Sequence, residues 1–410
     1  MSSDSMLPIG SFVSLVRGTT YKGDLVGQPG PVLLGLASIQ PDGGFRRGSF
    51  KTYGGDSPQK ITLGPGDLYV SLKDVTQSGD LLGSVARVPA DIAAGRLTQD
   101  TVKLDFGQAS IDRAYIYWLL RTPAYRAYCR ARSTGTTTLG LARNDFLSFP
   151  VPEPGVRELS LVELLEGIEE RISLLRETNA TLEAIAQALF KSWFVDFDPV
   201  HAKQQGIAPV GMNEATAALF PGGFEEKPSG LLPRFWRAGN VQDLMELGYG
   251  KALKATDRVA GDVPVYGSGG ITGHHNYALV DGPSVVVGRK GTVGSLYWED
   301  RPFFPIDTVF YIKAKAPLTY CFYQLNVLGL EDMNTDGAVP GLNRSNVYRL
   351  PVVIPPTAVL AAFDELAIAL RARMFANGAQ AQTLTILRDT LLPRLISGQL
   401  RRPEVESLAA

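Results

Sequence analysis

From Leu161 onward, apolar residues recur at alternating spacings of four and three without a break. Leu161, Leu165, Ile168, Ile172, Leu175, Asn179, Leu182, Ala186, Leu189 and Trp193 form one series. Such spacing averages 3.5 residues, which places every member on one stripe of an α-helix and, over five heptads, is the seam of a coiled coil. Glycine becomes scarce after Pro154, as a long helix requires. At about 1.5 Å per residue, a helix from Leu159 to Phe194 would be about 54 Å long. A stripe of that length needs another helix to cover it; the plainer alternative is an amphipathic helix lying on its own domain. Asn179 is the single polar member, the kind of residue that fixes helix register at some cost in stability.

The chain carries a candidate partner of its own. "GLARNDFLSFPVP" at 140–152 leads into this helix, and "GLNRSNVYRLPVV" at 341–353 leads into a second helical stretch. Gly140, Leu141, Arg143, Pro150 and Val151 recur as Gly341, Leu342, Arg344, Pro351 and Val352. The second stretch runs from about Thr357 to Ile396, with Gly398 as a stop signal. Shifted by 202 positions, the heptad falls on Phe363, Ala367, Leu370, Met374, Asn377, Ala381, Leu384, Arg388, Leu391 and Leu395, interrupted at Asn377–Gly378 and Arg388. A weaker echo pairs "PGDLYVSLKD" (65–74) with "GPSVVVGRKG" (282–291), each a β-prone run followed by a loop lysine. A period near 200 excludes solenoids and propellers, whose units are about 20–50 residues. It indicates duplication of a whole domain: an α/β globule, a proline-marked exit and a long helix.

The expected organisation of the 410 residues is therefore a first globule at 1–155 and a central helix at 156–198. A Pro/Gly-rich linker at 199–233, with a short helix near 213–220, precedes a second globule at 234–356, a C-terminal helix at 357–398 and a tail at 399–410. Within the first globule, "SIDRAYIYWLLRTPAYRAYCRAR" predicts a helix near 110–132. Residues 45–150 hold 14 basic against 9 acidic side chains, whereas 151–198 hold 4 against 10, so globule and helix differ in the partners they suit. No apolar run reaches the roughly 18–20 residues that span a bilayer. The opening "MSSDSMLPIG" lacks the basic and apolar regions of an export signal. Two cysteines, Cys129 and Cys321, support neither a disulfide framework nor a zinc cluster, and a cytoplasmic location is expected.

Catalytic motifs are hard to find. His201, His274 and His275 do not stand at metal-ligand spacing with other ligands. "GRKGTVG" at 288–294 lacks the spacing of a phosphate-cradling loop, and "YGSGGITG" at 266–273 is not followed by a helix as a dinucleotide site demands. "DFDPVH" at 196–201 lacks the second proline and the aromatic of an adenine-methyltransferase motif. Binding loops are more evident. Glycines allow close backbone approach, and Arg, Lys, Asn, Ser, Thr and His supply groups for phosphates and base edges. The candidates are Arg46, Arg47, Lys51 and Lys73 in the first globule, and Ser268, His274, His275, Asn276, Arg289, Lys290 and Thr292 in the second. Arg143, Asn343 and Arg344 are candidates at the two exits, where the arginines either contact DNA or anchor the junction. The plain alternative is that these are solvated surface loops. The candidate helix-pairing residues are Leu161, Leu165, Ile168, Ile172, Leu175, Asn179, Leu182, Leu189, Leu384 and Leu391.

Six segments together resemble the specificity (S) subunit of type I restriction–modification enzymes. They are "LFKSWFVDFDPVHAK" (189–203), "GDVPVYGSGGITGHHNYAL" (261–279), "VVGRKGTVGSLYW" (286–298), "FFPIDTVFYI" (303–312), "LNRSNVYRLPVVIPP" (342–356) and "LRDTLLPRLISGQL" (387–400). The resemblance is strongest from residue 181 to the C-terminus and weakest in the first 130 residues. It implies an α+β protein with two α/β target recognition domains separated by two long antiparallel, coiled-coil-like helices in an internal pseudo-twofold duplication. Each domain would read one half of a bipartite site in double-stranded DNA, and the helices would set the half-site spacing. The resemblance implies no catalysis and no cofactor in this chain. Two methyltransferase subunits would use S-adenosylmethionine, and two restriction subunits, where present, ATP and Mg2+. A stand-alone DNA-binding or scaffold protein is the alternative.

Overall fold

The computed structural model describes residues 6–48, 50–76, 78–136, 138–228, 230–333 and 341–394. The chain divides into two compact units, Met1–Ser173 with Ala381–Ala410, and Leu174–Gln380. Each unit holds one globule and a stretch of both long helices, which run over Val156–Phe194 and Thr357–Leu391.

The two globules share one central sheet. In the first, a four-stranded antiparallel sheet has the order Ser14–Arg17, Thr101–Asp105, Leu68–Ser71, Val85–Arg87. In the second, Met245–Tyr249, Val309–Ala314, Ser284–Gly288 and Leu296–Glu299 repeat it strand for strand. The registers correspond residue by residue. Arg17 pairs with Val102 as Tyr249 pairs with Phe310, and Ser71 pairs with Thr101 as Gly288 pairs with Val309. The Leu141 amide donates to the Leu72 carbonyl at 2.9 Å, and the Leu342 amide to the Arg289 carbonyl at 2.8 Å. Two faint sequence echoes, separate along the chain, are thus hydrogen-bonded neighbours in the fold.

Both exits are built alike. A five-residue helix (Arg143–Leu147 or Arg344–Tyr348) is followed by a proline-led strand, Pro150–Pro152 or Pro351–Ile354. That strand pairs antiparallel with the first strand of its globule, Met6–Pro8 or Arg237–Asn240. A leading proline is tolerated there because it begins an edge strand and need not donate to a ladder.

Along the first long helix the seam residues Leu161, Leu165, Ile168 and Ile172 enter the core of the first unit with Leu391, while Leu384 packs against that core half-buried. Leu175 is buried, Asn179 and Leu182 are half-buried, and Leu189 packs against the core of the second unit. The residues that interrupt the second heptad are seam contacts in their own right. Arg388 pairs with Glu169 at 2.8 Å, and Asn377, 2% exposed, donates to Asn179 Oδ1 at 2.9 Å. Asn179 in turn donates to the Met374 carbonyl at 2.9 Å, and Arg371 pairs with Glu183 at 2.9 Å. Contacts at 169, 179 and 183 meet 388, 377 and 371 in falling order, so the helices run antiparallel.

Two expectations change. The helix expected near 110–132 is two helices, Arg113–Leu119 and Pro123–Ala131, because Thr122 caps a new start and Pro123 takes its first position. The stretch expected as a linker at 199–233 holds helices Asp198–Gln204 and Glu214–Ala218 and a hairpin of Phe224–Lys227 with Gly230–Pro233. Its Val200 and Phe220 are buried in the second unit's core, because scattered apolar residues without periodicity still find a core to fill. Leu395, the stop at Gly398 and the tail at 399–410 lie outside the described residues.

Candidate nucleic-acid interface

The corresponding strand ends gather charge in both units. In the second, Gly288 ends its strand and Arg289 and Lys290 follow, each donating a backbone amide to the Thr308 carbonyl, at 2.9 and 3.0 Å. Lys290 also bridges to Gly341, which brings Asn343 and Arg344 alongside. Asn343 caps the short exit helix through the Ser345 and Asn346 amides. The Arg289 and Arg344 guanidiniums lie 5.0 and 4.8 Å from the centre of one ring, that of Tyr249. Tyr249 remains 47% exposed, and Phe310 backs it at 5.0 Å. Among the described residues no carboxylate pairs with Arg289, Lys290 or Arg344. Thr292 is exposed on the same loop, and Ser268, at the turn of the neighbouring hairpin, accepts from Ser295 and Tyr297 through its carbonyl.

The corresponding end of the first unit is partly neutralised. Lys73 pairs with Gly140 in the ladder and ion-pairs with Asp100 at 3.0 Å. Asp100 occupies the position that Thr308 holds in the second unit. Arg143 donates to the Leu15 carbonyl at 2.7 Å, so it ties the exit helix to the first sheet strand. Arg17, exposed at the end of that strand, takes the place of Tyr249, and its side chain donates to the Gln99 carbonyl at 3.3 Å.

The other candidates lie elsewhere. Arg46, Arg47 and Lys51 border the separate three-stranded sheet of Val32–Leu34, Gly95–Leu97 and Thr62–Leu63, and Arg47 pairs with Asp91 at 2.8 Å. His274 and His275 end the strand Gly270–His275, and Asn276 follows. Five residues at about 3.3 Å each separate them from the Ser268–Gly270 turn by about 16 Å. His275 Nδ1 accepts from the Val259 amide at 3.0 Å. Sequence reading missed Tyr249 and Arg17, for which the available signal was the glycine that follows each. Gly18 donates to the Thr101 carbonyl and Gly250 to that of Val309. A Cβ at either would stand 2.0 Å from a backbone carbonyl oxygen, of Thr98 and Ile306 respectively.

A second kind of site holds each globule to the helices. In the first unit Glu166 accepts from Trp118 Nε1 at 2.6 Å and from Arg87 at 2.8 Å, and Arg87 stacks on Tyr117 at 4.4 Å. Burial alone would lower the Arg87 guanidinium's pKa, but Tyr117, Glu166 and Glu169 together raise it. In the second unit Arg371 lies over Phe322 at 4.3 Å and Trp298 at 4.7 Å and bonds Glu183. Among the described residues no three His, Cys, Asp or Glu side chains converge to hold a metal, and no helix is long and apolar enough to cross a membrane.

Residues 233–361, which run from the exit-paired strand through the cationic sheet end to the second long helix, match the family described as type I restriction modification DNA specificity domain. The Type I restriction enzyme HindI specificity subunit of Haemophilus influenzae is 24% identical over 325 residues, 62% of this chain and 69% of the relative. The MjaIX specificity subunit of Methanocaldococcus jannaschii is 23% identical over 312 residues, 71% of this chain and 70% of the relative. The crystal structure of a type I restriction–modification S subunit from M. genitalium has the same fold, with a TM-score of 0.56 over 95% of both chains at 17% identity. Residues 233–361 thus carry a type I restriction modification DNA specificity domain, and over most of its length the chain is similar in sequence and in fold to specificity subunits of type I restriction–modification enzymes.

Proposed function

We propose that this chain confers DNA sequence specificity by reading a bipartite site, one half with each globule, and that the paired helices set the distance between the halves. The observation that carries the reading is the duplication itself. Each unit repeats one sheet, brings arginine and lysine to the same strand end, and leaves through a proline-led strand into a long helix. Base edges distinguish sequences, whereas rigid protein geometry fixes half-site spacing. A 39-residue helix braced by a second is stiff on the scale of roughly 3.4 Å per base pair.

On this reading the chain is a non-catalytic, cytoplasmic subunit. Two adenine methyltransferase subunits dock on it, with restriction subunits in a full complex, and those partners use S-adenosylmethionine, ATP and Mg2+. Partner subunits closing around the DNA would supply much of the phosphate neutralisation, which suits a chain whose own net charge is −1. Copurification from its source cells, followed by mapping of methylated adenines with and without the gene, tests the reading. A 1:2 complex with a methyltransferase and loss of one split methylation motif are expected. A chain that purifies alone and leaves the methylation map unchanged refutes it.

A further inference from the structure

The residue-by-residue correspondence of the two sheets divides the cationic ends into positions that the duplication kept and positions that it changed. Lys73 and Lys290 correspond, since each pairs in the ladder with the matching glycine, Gly140 or Gly341. Two positions beside them differ: Leu72 stands where the second unit has Arg289, and Arg17 where it has Tyr249. Phosphates are the same in every duplex and carry no sequence information, whereas base edges differ from site to site. A duplicated reader of two different half-sites can therefore keep its phosphate contact, but must vary the residues that touch bases.

We infer that Lys73 and Lys290 are phosphate contacts, and that positions 17 and 72 in the first unit and 249 and 289 in the second read bases. This assignment rests on the bipartite DNA-reading function above. The local geometry suits the division. Lys290 is exposed and has no carboxylate partner among the described residues, and a lysine's compact charge fits a phosphate without fixing orientation. Arg289 is held by the Asp307 carbonyl at 3.2 Å and by the Tyr249 and Phe310 rings, so its guanidinium is presented in one orientation, as bidentate recognition of a base requires. Arg344 stacks on Tyr249 and Tyr348, and Arg143 bonds Leu15, which makes both buttresses of the reading positions. In the first unit Leu72 is half-buried against the core and leaves only an edge of the kind that meets a thymine methyl, so the exposed Arg17 is the main reading side chain there.

The test is selection of duplexes from a randomised library by the full chain at low ionic strength, with sequencing of the bound pool. Lys290→Gln should weaken binding several-fold across all sequences and lower the salt dependence by about one ion; Lys73→Gln, whose charge Asp100 already partly neutralises at 3.0 Å, should do the same to a smaller extent, and both should leave the selected motif unchanged. Arg289→Ala and Tyr249→Ala should change the base preference of one half-site, with loss of discrimination by about tenfold or more, and leave the other half-site intact. Tyr249→Phe, which keeps the stacked ring, should preserve that motif; unchanged melting temperatures establish that each variant is folded. A motif altered by Lys290→Gln, or uniform weakening by Arg289→Ala and Tyr249→Ala, overturns the assignment while the wild-type chain still selects. A folded wild-type chain that selects no motif overturns the function and the assignment together.

Discussion

The Asn179–Asn377 pair makes a quantitative claim about the helix seam. Asn377 is 2% exposed and its amide donates to Asn179 Oδ1 at 2.9 Å, while Asn179 donates to the Met374 carbonyl at the same distance. Asn179→Leu removes the acceptor of a buried donor, which costs about 1–3 kcal/mol. The leucine recovers up to about 1 kcal/mol, because position 179 is only half-buried. A net loss of about 1–2 kcal/mol corresponds to about 2–8 °C in the melting of a unit of roughly 200 residues. Adding Asn377→Leu removes the stranded donor and makes the seam apolar on both sides, so the double variant should melt at or above the wild-type temperature. Scanning calorimetry of the wild type, both single variants and the double variant gives the coupling directly. Effects of the single variants that add to within about 0.5 kcal/mol would show that the two amides do not act as a pair, and the seam argument fails. The apolar double variant should also accept altered half-site spacings, because a polar pair in one place is what opposes sliding of two apolar stripes.

Gly250→Ala should destabilise the second unit by about 1–3 kcal/mol or more, since the added methyl stands 2.0 Å from the Ile306 carbonyl oxygen, whereas Gly269→Ala meets open space and should stay within about 0.5 kcal/mol in the same denaturation series. Burial pushes the Cys321 thiol up to about 12 from an ordinary 9.0, so a maleimide or disulfide reagent should label it only upon unfolding. The same shift makes the native state hold its proton where the unfolded state has lost it, so its contribution to stability is full below pH 9 and declines as pH rises from 9 toward 12, as pH-dependent melts can record. Binding of the full chain alone to duplex DNA should be weak and fall steeply with added salt in a titration by anisotropy; tight selective binding at physiological salt would contradict the neutralising role given to the partners.

Much of this architecture is legible without coordinates, but unevenly. The helices are plain because a 3.5-residue apolar period over five heptads has few other meanings. The globules' kinship is nearly invisible, because its offset drifts: Gly18 answers to Gly250, Lys73 to Lys290 and Gly140 to Gly341, shifts of 232, 217 and 201 positions. Loops of unequal length between strands move the register of the repeat, and no single shift displays it. Candidate residues fared according to local context. Arg289, Lys290, Asn343 and Arg344 come together because a ladder contact joins their loops, whereas Arg47 and Lys73 meet acids far along the chain, Asp91 and Asp100, that no local pattern announces.

The sequence by itself determined that two long helices would need each other and that a domain had been duplicated, because periodicity and repetition are properties of the chain read in order. Only the tertiary structure decided what the apparent defects of the second heptad are for. Asn377 and Arg388 look like interruptions in a list of apolar positions, yet each has a polar partner on the first helix, Asn179 and Glu169. It also decided which surface the two globules hold in common, since Tyr249 and Arg17 acquire their meaning from strands that pair across more than sixty residues. Burial and pairing are long-range quantities, and a side chain's charge or ring becomes a contact only when the fold settles what stands opposite it.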